Sequence, residues 1–248
     1  MRVRKPERKI AMIKVTVYNE FLHEKLDKAV EEIYPQGIHG AIKSFLDADG
    51  AFEVRTVTLD TVQSITKELL DDTDVLLWWG HIAHDKVPDE TAQLVQEAVL
   101  GGMGFIALHS GHHSKPFRKL MGTTCNLSWR EDGDMERVWV VKPAHPIAQG
   151  LGRYFEIPHD ETYAEPFDIP EPDELVFGTW YEGGELFRSG CCWHRGSGKV
   201  FYFQPGHETF PVFKDKNVQT VIKNAIRWAK PVVRLPLDCP NIKKIGTE

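Results

Sequence analysis

The sequence predicts an open α/β protein with a mainly parallel sheet, helices on both sides and a small antiparallel insertion. Three observations predict it. Apart from Asp74, residues 74–79 and 103–108 are apolar throughout, as strands buried on both faces are. Between them, Leu94, Val95, Ala98 and Val99 share one face of a helical segment, Asp89–Leu100, and strand, helix, strand at this spacing is a parallel crossover unit. Finally, histidines follow three separate apolar runs: His81 and His84 after residue 79, His109, His112 and His113 after residue 108, and His207 after residues 199–203. In a parallel sheet such loops leave from one edge, over which ligands bind.

Taken in order, residues 13–18 read as the first strand, followed by an unusually long connection over residues 19–36. A helix begins near Gly37 and stops at the Asp49–Gly50 turn signal. Residues 52–59 alternate as a second strand. From Thr123 to Arg195 the pattern changes to short strands and turns, including residues 137–141 and a hairpin over 175–193 that turns at Gly183 and Gly184. The chain then returns to a core strand and a closing helix, Lys216–Ala229, so this stretch reads as an insertion at the rim of one domain spanning residues 12–230. Residues 1–11 form a basic tail, and residues 231–248 a proline-containing tail on the surface.

Composition narrows the function. The 248 residues are 42% hydrophobic, enough for one large core, and the net charge of -6 argues against nucleic acid, which is held mainly by clustered Lys and Arg. No apolar stretch has the length of a membrane span and no secretory signal is visible, so the expected location is cytoplasmic, with no membrane partner. Cys125, Cys191, Cys192 and Cys239 show no Cys-x-x-Cys spacing and read as reduced thiols; on a strand, Cys191 and Cys192 would face opposite sides. No glycine-rich phosphate loop follows the first strand, which disfavours a nucleotide cofactor.

The segment from Ala107 to Gly111 has small residues two before and two after His109, the arrangement a tight nucleophile elbow requires. With histidine at the elbow, the position can act as acid, base or ligand but forms no acyl-enzyme. A frame shifted to Ser110 fits the turn poorly, so Ser110 reads better as a turn-capping hydroxyl. Gly206 allows the bend that presents His207, with Glu208 beside it, although an exposed loop histidine is the plainer alternative. Either His81, His109 and His207 hold a metal, zinc being the expected ion, or the same imidazoles contact substrate directly. Glu161 and Glu20 are the candidate oxygen groups. One of Trp78 and Trp79 packs in the core, leaving the other as a candidate platform for a sugar ring, near Tyr163.

These residues carry a resemblance. Val17 to Glu24, Tyr34 to His39, Trp78 to Asp85, Leu108 to His112, His145 to Gly150 and Pro205 to Glu208 are similar, in order, to motifs of the trehalose-utilisation ThuA family. That resemblance implies a flavodoxin-like, class I glutamine amidotransferase-like three-layer sandwich and a part in disaccharide catabolism, on trehalose or a 3-keto derivative of it. The expected chemistry is proton transfer by an isomerase or hydrolase. The alternative is a sugar-binding or regulatory protein on a degenerate amidotransferase fold. Catalytic roles then fall to His109, His207, Glu208 and Glu161. Substrate contacts fall to Asn19, Glu20, His39, Trp79, His84, Ser110, His112 and Tyr163. The amidotransferases have cysteine where this chain has His109, and a histidine before the proline where it has Gln204, so glutaminase activity does not carry over. A small sugar is the expected partner, with self-association into a homo-oligomer as a further expectation.

Overall fold

The computed structural model of the chain describes residues 11–246; most of the basic tail expected at residues 1–11 therefore lies outside the described residues. Five strands, β1 (Ile13–Asn19), β2 (Phe52–Thr58), β3 (Val75–Trp79), β4 (Gly104–Leu108) and β11 (Gly198–Phe203), form the parallel half of a sheet in the order β2-β1-β3-β4-β11. Alternation decides which side each residue serves. Val15, Val17, Leu77, Trp79, Ile106, Leu108, Phe201 and Phe203 pack beneath α3 (Gly37–Asp47) and α7 (Lys216–Ala229). On the other face Leu76, Trp78, Phe105, Ala107, Val200 and Tyr202 meet α4 (Lys67–Asp71), α5 (Asp89–Leu100) and α6 (Lys115–Met121). The result is the three-layer sandwich.

The helices start where the sequence supplies caps. Asp215 accepts from the backbone N–H groups of Asn217 and Val218 at the start of α7, and Thr66 accepts from Leu69 at the start of α4. The connection over residues 19–36 is not an irregular loop: it contains α1 (His23–Leu26) and α2 (Lys28–Ile33). Both are too short to display a full apolar stripe, so the helical period is invisible there.

The insertion is larger in effect than its sequence pattern predicts. β6 (Glu136–Val140), β7 (Tyr154–Ile157), β9 (Glu174–Tyr181) and β10 (Leu186–Arg195) do not stand apart at the rim; they continue the same sheet beyond β11, all antiparallel, as β10-β9-β6-β7. Pairing was hidden because it is long-range: β6 joins β9 across some forty residues. On β10, Cys191 faces one core and Cys192 the other. Among the described residues only β5 (Ser128–Arg130) and β8 (Thr162–Ala164) form a separate two-stranded ribbon, with Trp129 opposite Tyr163. After α7 the chain crosses the surface near α4 and α5, where Leu235 donates its N–H to the Gly101 carbonyl and Arg234 reaches that of Leu70. Among the described residues no helix is long and apolar enough to cross a membrane.

Candidate functional site

Because β1, β3, β4 and β11 are parallel, their C-terminal ends meet at one edge, and the three strand-end histidines converge there. Ring centroids of His81 and His207 lie 5.3 Å apart, His109 and His207 5.4 Å, and His81 and His109 6.3 Å. Of the three, His81 lines a cavity of about 220 Å³, together with His84, His112, Trp129, Glu131 and Glu161, while His109 and His207 lie buried behind it.

His109 occupies a strained elbow. Its φ is +50°, a left-handed backbone that few residues other than glycine adopt. Gly111 is required two residues later, since a Cβ there would come within 2.8 Å of the Trp78 carbonyl oxygen. The ring is fully buried and stacks on Tyr163 at 4.9 Å. Nδ1 lies 2.8 Å from the Gln204 carbonyl and Nε2 2.9 Å from Glu161 Oε2. Both partners are acceptors, so both nitrogens carry protons and the ring is an imidazolium. Burial alone would depress its pKa, but the Glu161 carboxylate outweighs it and pushes it up to about 9. Reciprocally, burial opposes ionisation of Glu161 while the bond from His109 holds its carboxyl below the ordinary range.

His207 is the counterpart. Gly206, at φ +147°, turns the chain inward where a Cβ would strike Phe213, and His207 is buried, not an exposed loop residue. Its Nδ1 sits 2.7 Å from Thr209 Oγ1, while the buried Nε2 has no hydrogen-bond partner and lies 3.9 Å from Glu161 Oε2. Burial and the neighbouring His109 charge lower its pKa to about 4. Glu208 places Oε1 3.1 Å from His81 Nδ1 and 3.0 Å from His23 Nδ1. Burial works against its charge, yet those two imidazoles hold the carboxyl far below the ordinary range.

Two carboxylates set the backbone of these loops. Glu20 accepts from the N–H groups of His81, Ile82 and Ala83, each at 2.9 Å. Asp160 accepts from Gly206, His207 and Glu161 at 2.9–3.0 Å. Ser110 donates to the Gly80 carbonyl at 2.7 Å, a brace between two strand-end loops and not a nucleophile. His112 is buried with Nδ1 2.7 Å from the Cys125 carbonyl. His84 keeps a buried Nε2 without a partner, and burial, then the charges of His113 and His81, lower its pKa to about 3.

Several residues expected to contact a ligand are buried or already engaged within the fold. Trp78 and Trp79 are both fully buried, and Trp79 donates Nε1–H to the Gly206 carbonyl, so neither offers a face to a sugar. Asn19 is fully buried: its Nδ2 bonds Glu24 and approaches His39 Nδ1, and its Oδ1 accepts from Phe21. Glu20 is spent on three backbone donors, and His39 is turned toward Asn19, away from the cavity-lining set. Within the metal candidate set, Glu161 takes the place given to His109, whose nitrogens are both engaged: donor atoms of His81, Glu161 and His207 all lie within 4.8 Å of one another. His23, His81 and Glu208 form a second such group. Sequence reasoning missed Trp129, Glu131 and His23. Trp129 is 64% exposed on β5 at the cavity mouth, and its only sequence signal is an indole amid polar neighbours.

An α/β sandwich with its imidazoles and carboxylates gathered over the strand ends defines a protein of the class I glutamine amidotransferase-like fold, with histidine at the elbow. The chain belongs to the ThuA family, whose model, described as trehalose utilisation, matches residues 14–229. A ThuA-like structure from Parabacteroides merdae superposes with a TM-score of 0.67 at 16% identity, covering 93% of this chain and 95% of that one. One from Bacteroides uniformis gives 0.65 at 16% identity, covering 92% and 95%. A glutamine amidotransferase from Thermotoga maritima gives 0.55 at 12% identity, covering 88% and 98%. At these identities the likeness concerns the fold. No curated protein matches this chain.

Proposed function

We propose that this chain is an enzyme of disaccharide catabolism that moves a proton on trehalose or a 3-keto derivative of it, as an isomerase or hydrolase. The observation that carries the reading is the Glu161 carboxylate, set between the His109 imidazolium and the unpartnered Nε2 of His207 at the wall of a cavity. In the 3-keto derivative, a carbon next to the carbonyl loses a proton to a carboxylate or imidazole within reach, and a neighbouring cation steadies the charge that develops; trehalose itself has no carbonyl and enters this step only once oxidised. Glu161 is the proton acceptor in this scheme. His109 holds it ionised and oriented from behind, and Glu208 steadies His81. The exposed indole of Trp129 supplies the apolar face for a sugar ring that Trp79 does not. The sugar class comes from the family description, trehalose utilisation.

The test is to incubate the protein with trehalose and with its 3-keto derivative in deuterated buffer and to follow both by NMR. Deuterium entering beside the keto carbon, followed by a new sugar product, is expected. Saturable binding without exchange or turnover would reduce the chain to a sugar-binding protein and overturn the catalytic reading.

A further inference from the structure

We infer that His81, Glu161 and His207 bind one divalent first-row transition cation, zinc being the ion for which two imidazoles and one carboxylate with an open side are suited. Their donor atoms already lie within 4.8 Å of one another, and His207 Nε2 is 3.9 Å from Glu161 Oε2. Tetrahedral ligands at bond lengths of about 2.1 Å sit about 3.4 Å apart, so this pair closes by about 0.5 Å to share an ion.

Two independent observations point to a cation. His207 is 1% exposed and its Nε2 has no hydrogen-bond partner, an expense that a bound ion removes. The atoms behind the donors are also arranged as metal sites arrange them. His207 Nδ1 is held by Thr209, His81 Nδ1 by Glu208, and Glu161 Oε2 by His109, so each ligand is oriented by a partner outside the set. His109 is excluded as a ligand because the Gln204 carbonyl and Glu161 occupy both its nitrogens. The neighbouring group of His23, His81 and Glu208 is the competing location; His23 Nδ1 is also without a hydrogen-bond partner, but its side chain is 19% exposed against 1% for His207, and Glu208 Oε1 is already bonded to His81 Nδ1. An ion held here takes the Glu161 carboxylate as a ligand, so a loaded site excludes Glu161 as the free proton acceptor; metal content is read without substrate and separates the two readings.

The experiment takes the full chain, purified without added metal and then stripped with chelator. Zinc, manganese and magnesium are titrated calorimetrically, and bound metal is measured by mass spectrometry. About one zinc per chain is expected, with magnesium bound far more weakly. His207→Ala and Glu161→Gln should each weaken zinc by more than about 100-fold, beyond the 10–100-fold typical of losing an outer partner, while His23→Ala costs at most about tenfold. Zinc should raise the melting temperature of the parent chain and chelator should reverse it, a readout that survives if His207→Ala does not fold. Absence of zinc binding at micromolar concentration, unchanged affinity in both ligand variants, or loss in His23→Ala alone would each overturn the assignment.

Discussion

The parallel and antiparallel halves of the sheet bring different side chains to one site. From the parallel half come the imidazoles of His81, His109 and His207, each directly after a strand or a few residues beyond it, on loops that leave one edge. The antiparallel excursion brings carboxylates and an indole: Asp160 and Glu161 between β7 and β8, Trp129 on β5 and Glu131 just after it. The imidazoles, with Glu208 and Glu20, are therefore carried on loops at the end of the parallel strands, while Asp160, Glu161 and the rim come from the antiparallel excursion. Such a division lets one scaffold keep its imidazole edge while the excursion decides what that edge meets.

If the two halves meet chemically at Glu161 and His109, breaking that contact has the largest consequences. Glu161→Gln removes the proton acceptor and should lower turnover of the keto sugar by about 10²–10⁴, measured at saturating substrate. His109→Ala leaves Glu161 buried without its cation and should cost about 3–5 kcal/mol in denaturant unfolding, so its loss of activity is partly loss of fold. Glu20→Ala, confined to the parallel half, strips an acceptor from three backbone N–H groups and should cost about 1–3 kcal/mol, with faster hydrogen exchange at residues 81–83. On the antiparallel side, Trp129→Ala removes a ring contact worth about 0.5–1.5 kcal/mol and should raise KM two- to tenfold, leaving kcat and thermal stability nearly unchanged. The smallest effect belongs to thiol alkylation. Cys125, Cys191 and Cys192 are buried, burial pushes the Cys125 thiol up to about 11, and iodoacetamide should leave activity intact; complete inactivation prevented by substrate would place a cysteine at the site.

The halves differed in legibility for the same physical reason. Strands β3 and β4 are apolar on both faces and α5 separates them by one helix, so local pattern and topology together place His81, His109 and His207 at one edge. Trp129 and Glu131 escape because their place depends on pairing Trp129 with Tyr163, a register that no local period encodes. Asn19, Glu20 and Trp79 read in sequence as outward-facing, and all three are buried. A polar side chain at a strand end reads alike whether it faces a ligand or a neighbouring loop's N–H groups, and only coordinates separate the two.

Asp160 has a consequence of another kind. One buried carboxylate receives the N–H groups of Gly206 and His207 from the parallel half and of Glu161 from the excursion. The spacing between the acid and the imidazole is thereby fixed through main chain, before any ligand arrives. Preorganisation of this kind moves the entropic cost of assembling the constellation from each encounter with substrate to the single event of folding. The main chain that Asp160 ties is set before a ligand arrives, and any adjustment to the ligand's shape falls to the exposed rim around Trp129.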